Sequence, residues 1–143
     1  MFPIGLWHML AAIILMLFCS TITLLLVSEI LSNWIAERPL MYLELALLVI
    51  MVILLATPTF LLSRGWSSSH WFLVWQNRAY LLTLSASSII LLIIEDYGMA
   101  VTGVAGLVIG IAAHALYRSK RYASGVEHYR LIWQHYRFER HSR

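Results

Sequence analysis

Four long apolar segments with almost no internal charge are the most constraining feature of this sequence. Residues 1–28 contain no Asp, Glu, Lys or Arg, residues 40–62 contain only Glu44, and residues 79–94 and 97–117 contain none. A helix of about 20 apolar residues crosses the hydrocarbon core of a bilayer, which is about 30 Å thick. The sequence therefore predicts an all-α membrane protein. The four transmembrane helices predicted in this way are residues 6–28, 40–62, 75–95 and 98–117.

The composition agrees with a membrane protein and leaves no room for a separate soluble domain. Hydrophobic residues make up 61% of the 143 residues and charged residues 12%, whereas soluble domains have about 45–50% and about 25%. We expect a four-helix transmembrane bundle over 1–117 and a basic, aromatic cytoplasmic tail over 118–143. The single Cys19 lies in the first apolar segment, so the chain has no disulfide framework.

Positive charge is concentrated on one side of the predicted bundle. The tail holds seven Lys and Arg against two Glu, and the loop between helices two and three adds Arg64, with Arg78 just inside helix three. The opposite side carries only Arg38. Lys and Arg collect on the cytoplasmic side of membrane proteins. This nine-to-one distribution predicts a multi-pass protein of a bacterial inner membrane with both termini in the cytoplasm.

Small residues on the fourth helix indicate close helix packing. Gly106 and Gly110 form a G-x-x-x-G motif beside Gly103, and the third helix offers a run of small residues at 85–88. Small residues let helix backbones approach each other in lipid, where no hydrophobic force drives helices together. The motif fits packing of helices three and four within one subunit, and it also fits a seam between subunits of a homo-oligomer.

Three ionisable groups inside the apolar segments are candidates for function. Glu44 is the one carboxylate within a predicted span; it fits either a structural role near the outer headgroups or a proton or cation site. His8 and His114 each lie about one turn inside the cytoplasmic ends of helices one and four. Two histidines at one depth could ligate a b-type haem, although interfacial polar residues are the simpler interpretation. We therefore predict no cofactor.

Catalytic and metal-binding patterns are absent from the sequence. There is no G-x-S-x-G, no H-E-x-x-H, no glycine-rich phosphate loop and no pair of intramembrane carboxylates. A zinc site lacks both a Cys pair and a His i, i+4 pair. The expectation is a protein that is not an enzyme and has no metal ligands.

The tail carries the clearest signal for a binding surface. Ser124 and Glu127 fit a helix-capping box, which predicts that helix four ends near Tyr122, bends at Ser124–Gly125 and is followed by an amphipathic helix to about Phe138. Apolar residues at spacings of three and four make one stripe, with Arg side chains beside it. The predicted partner-binding residues are Val126, Tyr129, Trp133, Tyr136, Arg130 and Arg137. Anionic lipid headgroups and a cytoplasmic protein are the expected partners; direct nucleic-acid binding is not expected.

The pattern as a whole favours a non-enzymatic membrane anchor, sensor or accessory subunit that oligomerises and recruits or regulates a cytoplasmic partner. The four-helix outline with the tail of Arg118–Arg143 resembles the membrane component of the Kiwa anti-phage defence system, and colicin-type immunity proteins share this outline. The resemblance covers architecture and matches no motif; it implies a role in antiviral defence beside a cytoplasmic DNA-binding partner. The alternative from another class is a small oligomeric transporter or channel built around Glu44 and the Pro58 kink.

Overall fold

The computed structural model describes residues 5–66 and 68–141, and the side chains in these ranges except those of Leu6 and residues 136–141. The described residues form five α-helices and contain no strand, which confirms the predicted all-α class. The helices are α1 (Gly5–Ser32), α2 (Glu37–Ser63), α3 (Ser68–Ile93), α4 (Tyr97–Tyr117) and α5 (Lys120–His141).

Three of these helices are long and apolar enough to cross a membrane. They are the Trp7–Ser32 part of α1, the whole of α2 and the whole of α4, with 26, 27 and 21 residues. At a rise of 1.5 Å per residue, even the shortest reaches about 30 Å, the thickness of the hydrocarbon core. α3 has a comparable length of 26 residues but is less apolar, because it contains Gln76, Asn77 and Arg78 together with several serines.

The glycines of α4 hold the centre of the bundle, where α4 packs between α3 and α1. A Cβ at Gly103 would collide with the Ser88 hydroxyl of α3, one at Gly106 would lie 2.8 Å from Ile22 of α1, and one at Gly110 would lie 2.7 Å from Leu81 of α3. The motif therefore packs helices within the subunit, as one of the two interpretations predicted. This face of α4 is covered by α1 and α3.

The contacts of α4 with α1 define an antiparallel register that separates the two central histidines. Cys19 lies beside Gly110 and Ile22 beside Gly106. The residue numbers of two opposed positions in α1 and α4 therefore add up to about 129. His114 then lies opposite residue 15, seven residues away from His8, which corresponds to about 10 Å along the helix axis. Two axial haem ligands must face each other across one iron atom. In this register His8 and His114 do not lie at one depth, which disfavours the haem interpretation.

α5 begins earlier than the capping box predicted. The break after α4 falls at Arg118 and Ser119, and the Ser119 hydroxyl accepts a hydrogen bond from the Tyr122 backbone N–H at 3.1 Å. The helix then runs without interruption through Ser124 and Gly125. Ser119 therefore caps the start of α5, and Ser124 lies inside the helix with its side chain exposed.

Candidate functional site

The site is built where α5 folds back on the end of the bundle that holds the start of α1 and the end of α2. We call this the α5 end. The closest approach joins Gly5 of α1 to Gly125 of α5: a Cβ at Gly5 would lie 2.5 Å from the Gly125 Cα, and one at Gly125 would lie 3.1 Å from the Gly5 carbonyl oxygen. α5 continues through Gly125, so this residue is not the predicted bend. Gly125 packs against Gly5, where no larger side chain fits between the two backbones.

Further along α5, the indole of Trp133 ties the helix to the end of α2. Its Nε1–H donates a hydrogen bond to the backbone carbonyl of Ser63 at 2.8 Å. Gly65, in the turn after α2, lies against the Trp133 Cβ and the Arg130 Cα, and its φ of 83° suits glycine. Helix C-termini leave their last carbonyls without intrahelical donors. Trp133 supplies one such donor and so couples α5 to α2.

The predicted apolar stripe of the tail faces the chain's own bundle. Tyr122 is fully buried, and Val126 and Tyr129 are half-buried against the core. Trp133 remains 37% exposed. Arg130 is exposed and forms an ion pair with Glu127 at 2.7 Å. The side chains of Tyr136 and Arg137 lie outside the described residues. The surface that the stripe requires is thus supplied, over its first two turns, by α1 and α2.

An aromatic cluster joins α3, α4 and α5 at the same end. The ring of His70 lies 6.2 Å from that of Tyr117 and 5.3 Å from that of Tyr122, and the two tyrosine rings are 5.2 Å apart in an edge-on arrangement. Burial raises the pKa of the Tyr122 hydroxyl and lowers the pKa of the His70 imidazole, because a buried site disfavours the charged form. Burial in the cluster therefore favours the neutral forms of these side chains over their charged forms.

Buried amides on α3 are functional candidates that sequence reasoning missed. The Asn77 amide donates to the Gly110 carbonyl at 3.2 Å, and the Gln76 amide donates to the Tyr80 hydroxyl at 3.0 Å. Their carbonyl oxygens are buried and have no hydrogen-bond partner among the described residues. Polar groups inside a membrane bundle are costly and mark functional positions. The adjacent Gln and Asn inside the predicted span 75–95 were the available signal.

Glu44 lies away from the α5 end and bonds a neighbouring helix. Its carboxylate, half-buried on α2, accepts a hydrogen bond from the Ser28 hydroxyl of α1. The bond holds together the ends of α1 and α2 that are remote from α5. This contact supports the structural interpretation of Glu44 by giving the carboxylate a partner within the bundle.

The described residues contain no group of three or more His, Cys, Asp or Glu side chains close enough to hold a metal ion. The Nδ1 of His114 is buried and, within the described part of the chain, has no hydrogen-bond partner. Helix packing and the Trp133 indole hold α5 in position at the α5 end, and the exposed Arg130 is available there for binding another molecule. Comparisons with protein-family models, curated proteins and solved structures found no match.

Proposed function

We propose that this protein is a non-enzymatic membrane anchor that presents α5 to a soluble cytoplasmic protein. The observation that carries the proposal is the docking of α5 on the bundle through Gly125 and Trp133, which holds a basic helix in one position. Most of the stability of a helix in a protein comes from packing of its apolar face, and the bundle supplies that packing to α5. A docked helix has already lost much of its conformational freedom, so a partner that binds it loses less free energy to ordering.

In this proposal α1 to α4 all cross the inner membrane of a bacterium, and both termini lie in the cytoplasm. The distribution of Lys and Arg supports this orientation, because nine of the ten lie in the tail, in the turn after α2 or in the first turns of α3. A reporter enzyme that works only in the cytoplasm should be active when it is fused after residue 143. Labelling of Ser68→Cys by an impermeant reagent from outside intact cells would contradict the orientation.

The surface of α5 that remains for a partner is the side turned away from the bundle. We call it the outer face; it is made of Ser124, Glu127, His128, Leu131 and His135, all exposed. Leu131 is 54% exposed at the centre of this face. Apolar side chains surrounded by a polar rim are typical of protein interfaces. We assign the first contact with the partner to Leu131, with Arg130 at its edge, in place of Val126 and Tyr129.

Photocrosslinking in cells tests this assignment. A crosslinking amino acid at His128 should capture a soluble protein, and Leu131→Asp should reduce that capture about tenfold, since interface anchors contribute more than 1 kcal/mol. Ala123→Asp adds the same charge at another exposed position of α5 and should leave capture unchanged. Equal capture by wild type and Leu131→Asp would contradict the assignment. The resemblance to the Kiwa membrane component would be tested by phage plating on cells that carry each variant.

A small oligomeric channel or transporter is the second candidate. The buried carbonyl oxygens of Gln76 and Asn77 favour it, because they can accept hydrogen bonds from water or a solute inside the bundle. Liposomes containing the protein should then show solute or proton flux that Asn77→Leu removes. Glu44→Gln distinguishes a proton or cation role of this carboxylate from its helix-linking role, since an amide oxygen still accepts from Ser28 but does not titrate.

A further inference from the structure

An apolar groove runs between α1 and α2 and ends beneath α5. It has a volume of about 440 Å³ and is lined by Ile13, Leu17, Val52, Leu55, Ala56 and Phe60. Hydroxyl groups of Thr59 and Ser63 lie at its α5 end. From Val52 to Ser63 the groove follows α2 for eleven residues, or about 16 Å, which is about half the thickness of the hydrocarbon core. Its length thus matches one leaflet.

A second cavity continues the groove toward α5. It has a volume of about 350 Å³, shares Ile13, Thr59 and Ser63 with the groove, and adds Trp7 and Tyr129. Trp7 is 66% exposed, as is usual for tryptophans at the level of lipid headgroups. Tyr129 belongs to α5 and closes this end. The groove is therefore apolar along its length and amphipathic where it meets the membrane surface.

A positive charge stands at that polar end. The guanidinium carbon of Arg64 lies 4.7 Å from the centre of the Phe60 ring, and Phe60 lines the groove. Arg64 is exposed. The neighbouring Arg130 is engaged with Glu127 at 2.7 Å. Through its contact with Phe60, Arg64 is placed beside the groove and is available to an anion at its mouth. Arginine is well suited to such a site, because its guanidinium binds phosphate oxygens in a bidentate manner.

We propose that the α1–α2 groove binds one anionic phospholipid, with an acyl chain along Ile13 and Ala56 and the phosphate at Arg64. The apolar lining fits the chain, the hydroxyl groups and Trp7 fit the glycerol level, and the arginine complements the negative headgroup. Because Tyr129 contributes to the same site, the bound lipid contacts α5 directly. The site extends beyond the proposed recruitment of a protein partner and does not depend on it.

Native mass spectrometry of the full-length protein in detergent, titrated with defined lipids, tests the proposal. Wild type should bind dioleoylphosphatidylglycerol about fivefold or more tightly than dioleoylphosphatidylcholine, as expected when one arginine faces a headgroup with a net negative charge that phosphatidylcholine lacks. Arg64→Gln should remove this preference, and Arg64→Lys should retain most of it. Arg78→Gln changes an exposed arginine on α3, outside the α1–α2 groove, and as the matched control it should behave as wild type.

A second variant tests the place of the acyl chain. Ala56→Phe puts a ring into the groove from an exposed position of α2, so it should lower binding of both lipids without changing the preference between them. Equal binding of the two lipids by wild type would overturn the proposal. So would equal losses in Arg64→Gln and Arg78→Gln, which would indicate a diffuse attraction to the basic side, or unchanged lipid binding by Ala56→Phe.

Discussion

Gly5 and Gly125 touch backbone to backbone, although one opens α1 and the other lies inside α5. A Cβ on Gly5 would approach the Gly125 Cα to 2.5 Å. Glycine inside a helix costs about 1 kcal/mol relative to alanine, so this position would gain helix propensity from almost any substitution. The contact explains why glycine is present there: the backbones of α1 and α5 approach this closely only where neither helix has a side chain.

Gly125→Leu should therefore release α5. Overpacking costs about 1–3 kcal/mol, so amide hydrogen exchange over 120–135 should accelerate about tenfold or more. Ala123→Leu provides the control, because Ala123 is exposed two residues away on the same helix. Equal exchange rates in the two variants would show that Gly125 is not needed for docking.

The hydrogen bond from Trp133 to Ser63 makes a second prediction. Trp133→Phe keeps the aromatic ring but removes the donor of the 2.8 Å bond, which should cost about 0.5–1.5 kcal/mol. Hydrogen exchange of α5 should accelerate by less than in Gly125→Leu. Trp71→Phe, at a ring that is 71% exposed on α3, should have no effect. A larger effect at Trp71 than at Trp133 would refute the role of this bond.

The aromatic cluster of His70, Tyr117 and Tyr122 predicts that docking of α5 weakens in acid. The pKa of His70 is lowered in the folded state, so protonation favours the state in which its ring is exposed. Stability from this group is complete above the unfolded pKa of about 6.5 and is lost as the pH falls below it. The groups facing it, Tyr117 and Tyr122, are neutral throughout this range.

Hydrogen exchange of α5 should consequently accelerate between about pH 7.5 and pH 5.5, after correction for the intrinsic pH dependence of exchange. His70→Phe keeps the ring contacts with Tyr117 and Tyr122 but cannot be protonated, so the acceleration should disappear. His128→Phe changes an exposed histidine on the outer face and should preserve it. A pH response that survives in His70→Phe would assign it to another group.

The glycines of α4 should determine the stability of the single subunit. Gly106→Leu must displace Ile22 and Leu84, because a Cβ there already comes within 2.8 Å and 3.1 Å of them, at a cost of about 1–3 kcal/mol. The thermal midpoint in detergent should fall. Gly98→Leu places the same side chain where the nearest atom is 3.7 Å away, on Asp96, and should leave the midpoint nearly unchanged. A fall confined to Gly98→Leu would contradict this packing.

Local composition determined the helices themselves. The predicted spans 40–62 and 98–117 differ from α2 and α4 by at most three residues at each end, because hydrophobic length is a property of consecutive residues. α4 begins where the Asp96 side chain accepts a hydrogen bond from the Met99 N–H at 3.2 Å, a cap that depends on neighbours in the chain. The all-α class could be predicted for the same reason.

The tertiary structure decided which surfaces these helices use. Gly125 reads locally as a helix break, and the stripe through Tyr129 and Trp133 reads as a surface for another molecule. Their partners, Gly5 and Ser63, are distant in sequence. Periodicity identifies an apolar face but carries no information about what covers it. Which surface covers the apolar face of α5 depends on the relative positions of the helix ends. Close packing around the glycines of α4 sets those positions.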